Sequence, residues 1–208
     1  MRLRTAVLAI LGATAGGATV ASAAALGTVT AQPVTVYTGS STVPTQTCTS
    51  NPTQDATVDF QHKNWMLGGN ATLDVSANGG KSSDGFVQFA PCASANAHVV
   101  SATLTATMAS APGATRTWGL YPIQGAWSES TVSASTAPAV SGTASTSATT
   151  VTTGATMSWS VTGDVQGWVD GGTNNGWSIQ DTATTSASGS LASRESGTPP
   201  VLQIVYYP

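Results

Sequence analysis

From Val99 to Met108 the chain alternates apolar and polar residues almost without a break, which commits the stretch to a half-buried β-strand. Val100, Ala102, Leu104, Ala106 and Met108 are expected to share one face. Shorter period-two signals recur over 34–37, 56–59, 72–75, 85–89, 115–121, 157–161, 177–180, 191–194 and 202–206. Turn residues separate them, among them Asn78-Gly79-Gly80, Ala111-Pro112-Gly113, Gly171-Gly172 and Pro199-Pro200. Many short strands joined by Gly/Pro turns predict an all-β, antiparallel β-sandwich. One stretch departs from the pattern. A short helix is expected over 163–170, capped by Thr162, with Val165, Trp168 and Val169 on one face to plug an end of the sandwich. Asn174-Asn175-Gly176 then turns the chain into the next strand. Residues 133–153, nearly all Ala, Ser, Thr and Val, read as a long connection.

The N-terminus points to export. Arg2 and Arg4 precede an apolar stretch diluted by Gly12, Gly16 and Gly17, and Ala21-Ser22-Ala23 completes a cleavage pattern. Residues 1–23 are therefore expected to be a secretory signal. Residues 24–54 read as a Thr/Ser/Pro-rich lead-in, and 55–208 as the domain. No cysteine follows the cleavage pattern and no second apolar run lies near Pro208, so neither a lipid anchor nor membrane insertion is expected. In an oxidising compartment Cys48 and Cys92 are expected to form a disulfide, since they are the only cysteines and neither sits in a C-x-x-C.

Loss of Arg2 and Arg4 leaves four basic residues against nine acidic ones, a net charge of −5. Four scattered cations make no phosphate-neutralising stripe, which argues against nucleic acid as a partner. Charged residues are only 7% of the chain, yet six Trp and the regular alternation argue for folding, with Ser, Thr and Asn solvating the surface. Catalytic patterns are missing. His62 and His98 have no metal-ligand spacing, and no G-x-S-x-G elbow occurs. Gly80-Lys81-Ser82 looks like the end of a phosphate loop, but Val75 stands where the first glycine is required. No cofactor is expected beyond a structural Ca²⁺. Asp55, Asp59, Asp74, Asp84 and Asp181 offer suitable oxygens, Asp55 and Asp181 foremost, although no spacing singles out a set.

The C-terminal half carries an ordered set of motifs: Ala126-Trp127-Ser128-Glu129-Ser130-Thr131-Val132, Trp159-Ser160-Val161-Thr162, and Asp164-Val165-Gln166-Gly167-Trp168-Val169-Asp170-Gly171. Asn174-Asn175-Gly176-Trp177, Ser193-Arg194-Glu195 and Pro199-Pro200-Val201-Leu202-Gln203-Ile204 follow. Upstream, Gly85-Phe86-Val87-Gln88-Phe89 and the strand from Val99 look like paired strands of the same pattern. In this order the set resembles the DNRLRE-type domain family, also classed as carbohydrate-binding module family ninety-six. The resemblance covers residues 55–206. It implies a secreted, jelly-roll-like β-sandwich, usually an accessory to polysaccharide-acting or surface proteins, and some relatives are described as alginate binders. Gln88 departs from the family pattern, standing where relatives commonly carry Arg. Cys48 and Cys92 look like a local addition, and no catalytic domain accompanies the module.

Trp127, Trp159, Trp168 and Trp177 fall inside these motifs and are expected to pack the core. Trp65 lies in a loop-like stretch, Gln61-His62-Lys63-Asn64-Trp65-Met66-Leu67-Gly68-Gly69-Asn70, and has two readings: a lid folded onto the sandwich, or, with Asn64 and Lys63, part of a sugar-stacking surface. Arg194 and Glu195 are expected on one strand with side chains on opposite faces, Arg194 reaching Glu129 or Asp181 in a structural ion pair. The alternative for Arg194 is recognition of a ligand carboxylate. Glu129 and Glu195, the only glutamates, lie within motifs of structural character, so a glycosidase acid/base pair is not expected. The expected function is therefore non-catalytic binding of an extracellular polysaccharide. A neutral or weakly charged glycan suits a net charge of −5 better than alginate does. The rival is a structural or adhesive surface protein working through protein contacts. A cleft with aromatics would favour the first, a flat apolar patch the second.

Overall fold

The computed structural model describes residues 44–78 and 81–208. The expected signal over 1–23, the strand over 34–37, most of the lead-in and the Gly79-Gly80 turn lie outside them. Among the described residues the alternation resolves into eleven strands and one helix. In chain order these are β1 (Gln46–Ser50), β2 (Pro52–Asp59), β3 (Thr72–Ala77), β4 (Lys81–Phe89), β5 (His98–Ser110) and β6 (Thr117–Pro122). They continue with β7 (Thr146–Thr149), β8 (Thr156–Ser160), α1 (Thr162–Val169), β9 (Trp177–Asp181), β10 (Ala187–Ala192) and β11 (Val201–Tyr207). No described helix is long and apolar enough to cross a membrane.

The strands form one antiparallel sheet in the order β1-β11-β5-β10-β3-β4-β9-β6-β7, with β2 beside β4 and β8 beside β5. The sheet curls upon itself as a β-sandwich-like fold. Strand β5 makes the curl possible: residues 98–105 pair with β11, and Met108 and Ser110 then pair with β10. On its other edge lies β8, whose Trp159 donates its indole N–H to the carbonyl of Trp118 on β6, 3.1 Å away. Leu104, Met108, Trp118, Trp159 and Trp177 fill the interior with essentially no exposure. Burying each large side chain contributes about 1.5–3 kcal/mol, which is how a chain so poor in charge pairs holds together.

The alternation in β5 breaks at its start. Val205 pairs with Ser101 but Tyr206 with Val99, so Val100 is the extra residue of a β-bulge. Val99 is buried and Val100 is 45% exposed, which corrects the expected face at this one position. The helix begins at Thr162 itself, with Val161 in the cap position, so Thr162 is not a side-chain cap. Its hydroxyl instead accepts the Ala102 amide at 3.0 Å and ties α1 to β5. Val165 and Val169 are buried as expected, and Trp168 packs on Trp177 with ring centroids 4.4 Å apart.

Strand β4 is covered on both faces. Val87 and Phe89 enter the main core, while Phe86 points the other way into a second cluster with Ala56, Val58, Ile123 and Val132. Part of the expected long connection builds that cover: Ala134, Ala137 and Val140 pack on the second cluster, and β7 pairs with β6. The lead-in likewise contributes β1 and the start of β2 to the sheet. A disulfide joins Cys48 on β1 to Cys92 beyond β4.

Candidate functional site

Three acids meet around one arginine where β2, the 128–130 turn and the segment after β10 converge. Asp55 is placed by β2 and is wholly buried. Arg194 and Glu195 lie on a turn two residues past the end of β10, not on a strand. Ser193 makes that turn: its hydroxyl accepts the Glu195 amide at 3.2 Å, and its carbonyl accepts the Ser196 hydroxyl at 2.6 Å. The expected opposition of the two charged side chains is thereby overturned, since Arg194 Nε lies 3.2 Å from Glu195 Oε1.

Arg194 is the organising residue. Its amide donates to Asp55 Oδ2 at 2.7 Å, and its Nη1 donates to the Thr53 carbonyl at 2.7 Å and to Glu129 Oε2 at 2.6 Å. The Arg194 side chain is 37% exposed, so solvent screening holds this pair to the scale of a surface salt bridge, about 0–1 kcal/mol. Asp181 takes no part. Arg116, a residue the sequence reading passed over, holds it in the interior, donating Nε to Oδ2 at 2.6 Å and Nη2 to Oδ1 at 3.1 Å. Both Asp181 oxygens therefore face the Arg116 guanidinium rather than Arg194.

The acids around Arg194 are perturbed. Burial pushes the Asp55 carboxyl up to about 7; the Arg194 amide opposes the rise and the charges of Glu195 and Glu129 add to it. Burial also raises Glu129 above the ordinary carboxylate range, with Arg194 pulling against it and Glu195 adding to it. Of the other aspartates, Asp59 is lowered: burial raises it, but hydrogen bonds from the His62 side chain and the Gln61 and His62 amides outweigh that.

Beside this cluster lies an open groove of about 470 Å³, lined by Thr53, Gln54, Met66, Gly68, Gly69, Ser128, Glu129 and Ser130. That volume suits a ligand of one or two rings. Gln54 accepts the Glu129 amide at 3.2 Å and donates to the Trp127 carbonyl at 3.2 Å, holding the turn against β2. Gln54 also bonds to Gln88, which donates to the Asn174 carbonyl at 2.6 Å. Met66, Gly68 and Gly69 of the lining come from the loop after β2. There Gly68 presses on Glu129: a Cβ at Gly68 would sit 2.3 Å from the Glu129 carbonyl oxygen, whereas one at Gly69 would meet nothing within 4 Å. Gly68→Ala is therefore expected to lower Tm by several degrees, from an overpacking cost of about 1–3 kcal/mol, with Gly69→Ala unchanged in the same thermal melts.

The same loop carries Trp65, 53% exposed, and Met66, 62% exposed. Trp65 is no lid on the sandwich. Its ring stacks on His62 with centroids 3.8 Å apart and planes 7° from parallel, and His62 is held in turn by Asp59 at 2.8 Å. Trp65 precedes the lining residue Met66 by one position in the chain. Asn64 Oδ1 accepts the Ser135 hydroxyl at 2.9 Å and the Lys63 carbonyl accepts the Ser135 amide at 2.9 Å, so both anchor the loop. The side chain of Lys63 is exposed. Loop position predicted the exposure of Trp65; nothing in the sequence signalled Gln54, Met66 or Ser128 as groove residues, since their juxtaposition depends on the sheet order.

The sequence pattern of carbohydrate-binding module family 96 matches residues 46–206, from the first residue of β1 to within one residue of the end of β11. No curated protein matches the sequence. With the match covering the whole sheet, the chain belongs to carbohydrate-binding module family 96.

Proposed function

We propose that the protein is a secreted, non-catalytic module that holds an extracellular polysaccharide of neutral or weakly charged sugars in the groove beside Trp65. The observation that carries this reading is an exposed, His62-backed indole on the same loop whose Met66, Gly68 and Gly69 line a groove with polar side chains. An indole pre-set by stacking offers the apolar face of a sugar ring a partner at little entropic cost. Gln54, Ser128, Ser130 and Glu129 supply donors and acceptors for hydroxyls along the same groove. The lining holds no cation to meet a polyanion such as alginate, which favours a neutral or weakly charged glycan.

The arrangement of Glu129 and Glu195 supports a binding role over hydrolysis. In a glycosidase two carboxyls flank the scissile bond with the sugar between them. Here both glutamates are tied to the same Arg194 guanidinium.

Affinity electrophoresis through gels containing neutral and acidic polysaccharides tests the reading. Retardation by a neutral glycan is expected, reversed by the free oligosaccharide. Trp65→Ala is expected to weaken that retention about tenfold or more while leaving the melting curve unchanged. No retardation across the panel would shift the reading to a structural or adhesive protein.

A further inference from the structure

We propose that Asp55, Glu129 and Glu195 together hold one Ca²⁺ ion at the edge of the groove. These residues come from three separate parts of the chain, and each presents a carboxylate oxygen, all within 4.8 Å of one another. Oxygens that close together can share one Ca²⁺ with ligands at about 2.4 Å, whereas Mg²⁺ dehydrates reluctantly and is seldom held by protein carboxylates alone. An acidic cluster alone would not assign a site. The second observation is Asp55, 0% exposed, whose Oδ1 has no hydrogen-bond partner. Its other oxygen is taken by the Arg194 amide. A wholly buried carboxylate oxygen left without a donor costs several kcal/mol unless a proton or a cation meets it.

Local charge leads to the same assignment. Three carboxylates face one guanidinium, and Arg194 engages only Oε2 of Glu129 and Oε1 of Glu195. With all three ionised, two negative charges are left over, the charge of one divalent ion. The donors are all hard oxygens, the set that suits Ca²⁺ rather than a transition metal. The groove supplies an entry path, since Glu129 lies in its wall.

The test uses the full chain stripped with chelator, then melted in EDTA, in Ca²⁺ and in Mg²⁺, with bound Ca²⁺ counted by equilibrium dialysis. Ca²⁺ is expected to raise Tm by about 5–10 °C over EDTA, with one ion per chain. Glu195→Gln, on the turn and partly exposed, is expected to fold with an unchanged far-UV spectrum and to lose most of the Ca²⁺ shift. Asp55→Asn is expected to lose it entirely, and Glu195→Gln decides alone if the buried substitution does not fold. Equal melting in EDTA and Ca²⁺ with no dialysable ion retained would overturn the proposal. So would a full Ca²⁺ shift in Glu195→Gln, which would place the ion elsewhere, or an equal shift with Mg²⁺.

Discussion

Arg116→Met is expected to destabilise the fold by about 3–5 kcal/mol, because it leaves the Asp181 carboxylate buried without its cation. For a domain of this size that is a fall in Tm of about 10 °C or more. The Arg116 side chain is 7% exposed and Asp181 only 2%, so water screens little of their interaction. The guanidinium also donates to the Thr185 hydroxyl at 2.7 Å and to the Thr185 carbonyl at 2.9 Å, and both bonds go with it. Removing both charges should be milder than removing one. Arg116→Met combined with Asp181→Leu is expected to recover part of the lost stability, read as a coupling energy in a double-mutant cycle. A fall in Tm of less than 2 °C for Arg116→Met alone would show that Asp181 reaches solvent once Arg116 is gone.

Removal of the disulfide is expected to have a comparable effect through a different term. Cys48 and Cys92 are separated by 44 residues, and opening that loop releases about 4 kcal/mol of restraint on the unfolded chain in the chain-entropy model. A Cys48→Ala, Cys92→Ala variant should therefore melt about 10 °C lower, and reductant should lower the wild-type Tm without affecting the variant. Equal melting of wild-type protein with and without reductant would mean that β1 gains nothing from its covalent tie.

How far the sequence carried depended on how local each signal was. Strands with large alternating side chains, such as β5 and β11, were legible from period two alone. Strand β10 was only partly so, because Ala187-Ser188-Gly189-Ser190 offers no apolar contrast. The expectation that Arg194 lies on a strand followed from that weakness, although Ser193 ahead of two charged residues and Gly197 carried the turn signal. Val100 was misplaced because a bulge is decided by the partner strand's register, which no single strand encodes. Arg116 had no local signal at all: its partner is 65 residues away and meets it only because β6 pairs with β9. The same holds for the acidic cluster. Asp55 was recognised as an oxygen donor, but its meeting with Glu129 and Glu195 is a product of topology. Trp65 was legible for the opposite reason, because it stands in a stretch where alternation fails.

The pairing of β1 with β11 has a mechanical consequence. Gln46 lies opposite Tyr206, so the two ends of the sheet leave it at the same place, with the Tyr206 hydroxyl bonded to the Gln46 side chain at 2.9 Å. Tension applied between these ends would peel β1 from β11 rung by rung, the geometry in which a sheet resists force least. Peeling would reach Cys48, opposite Ile204, at the third rung. There the load passes through a covalent bond into the segment after β4, and the rungs of β1 beyond Cys48 are spared it. A module tethered at both ends to a matrix under shear would thus yield by two rungs and then hold.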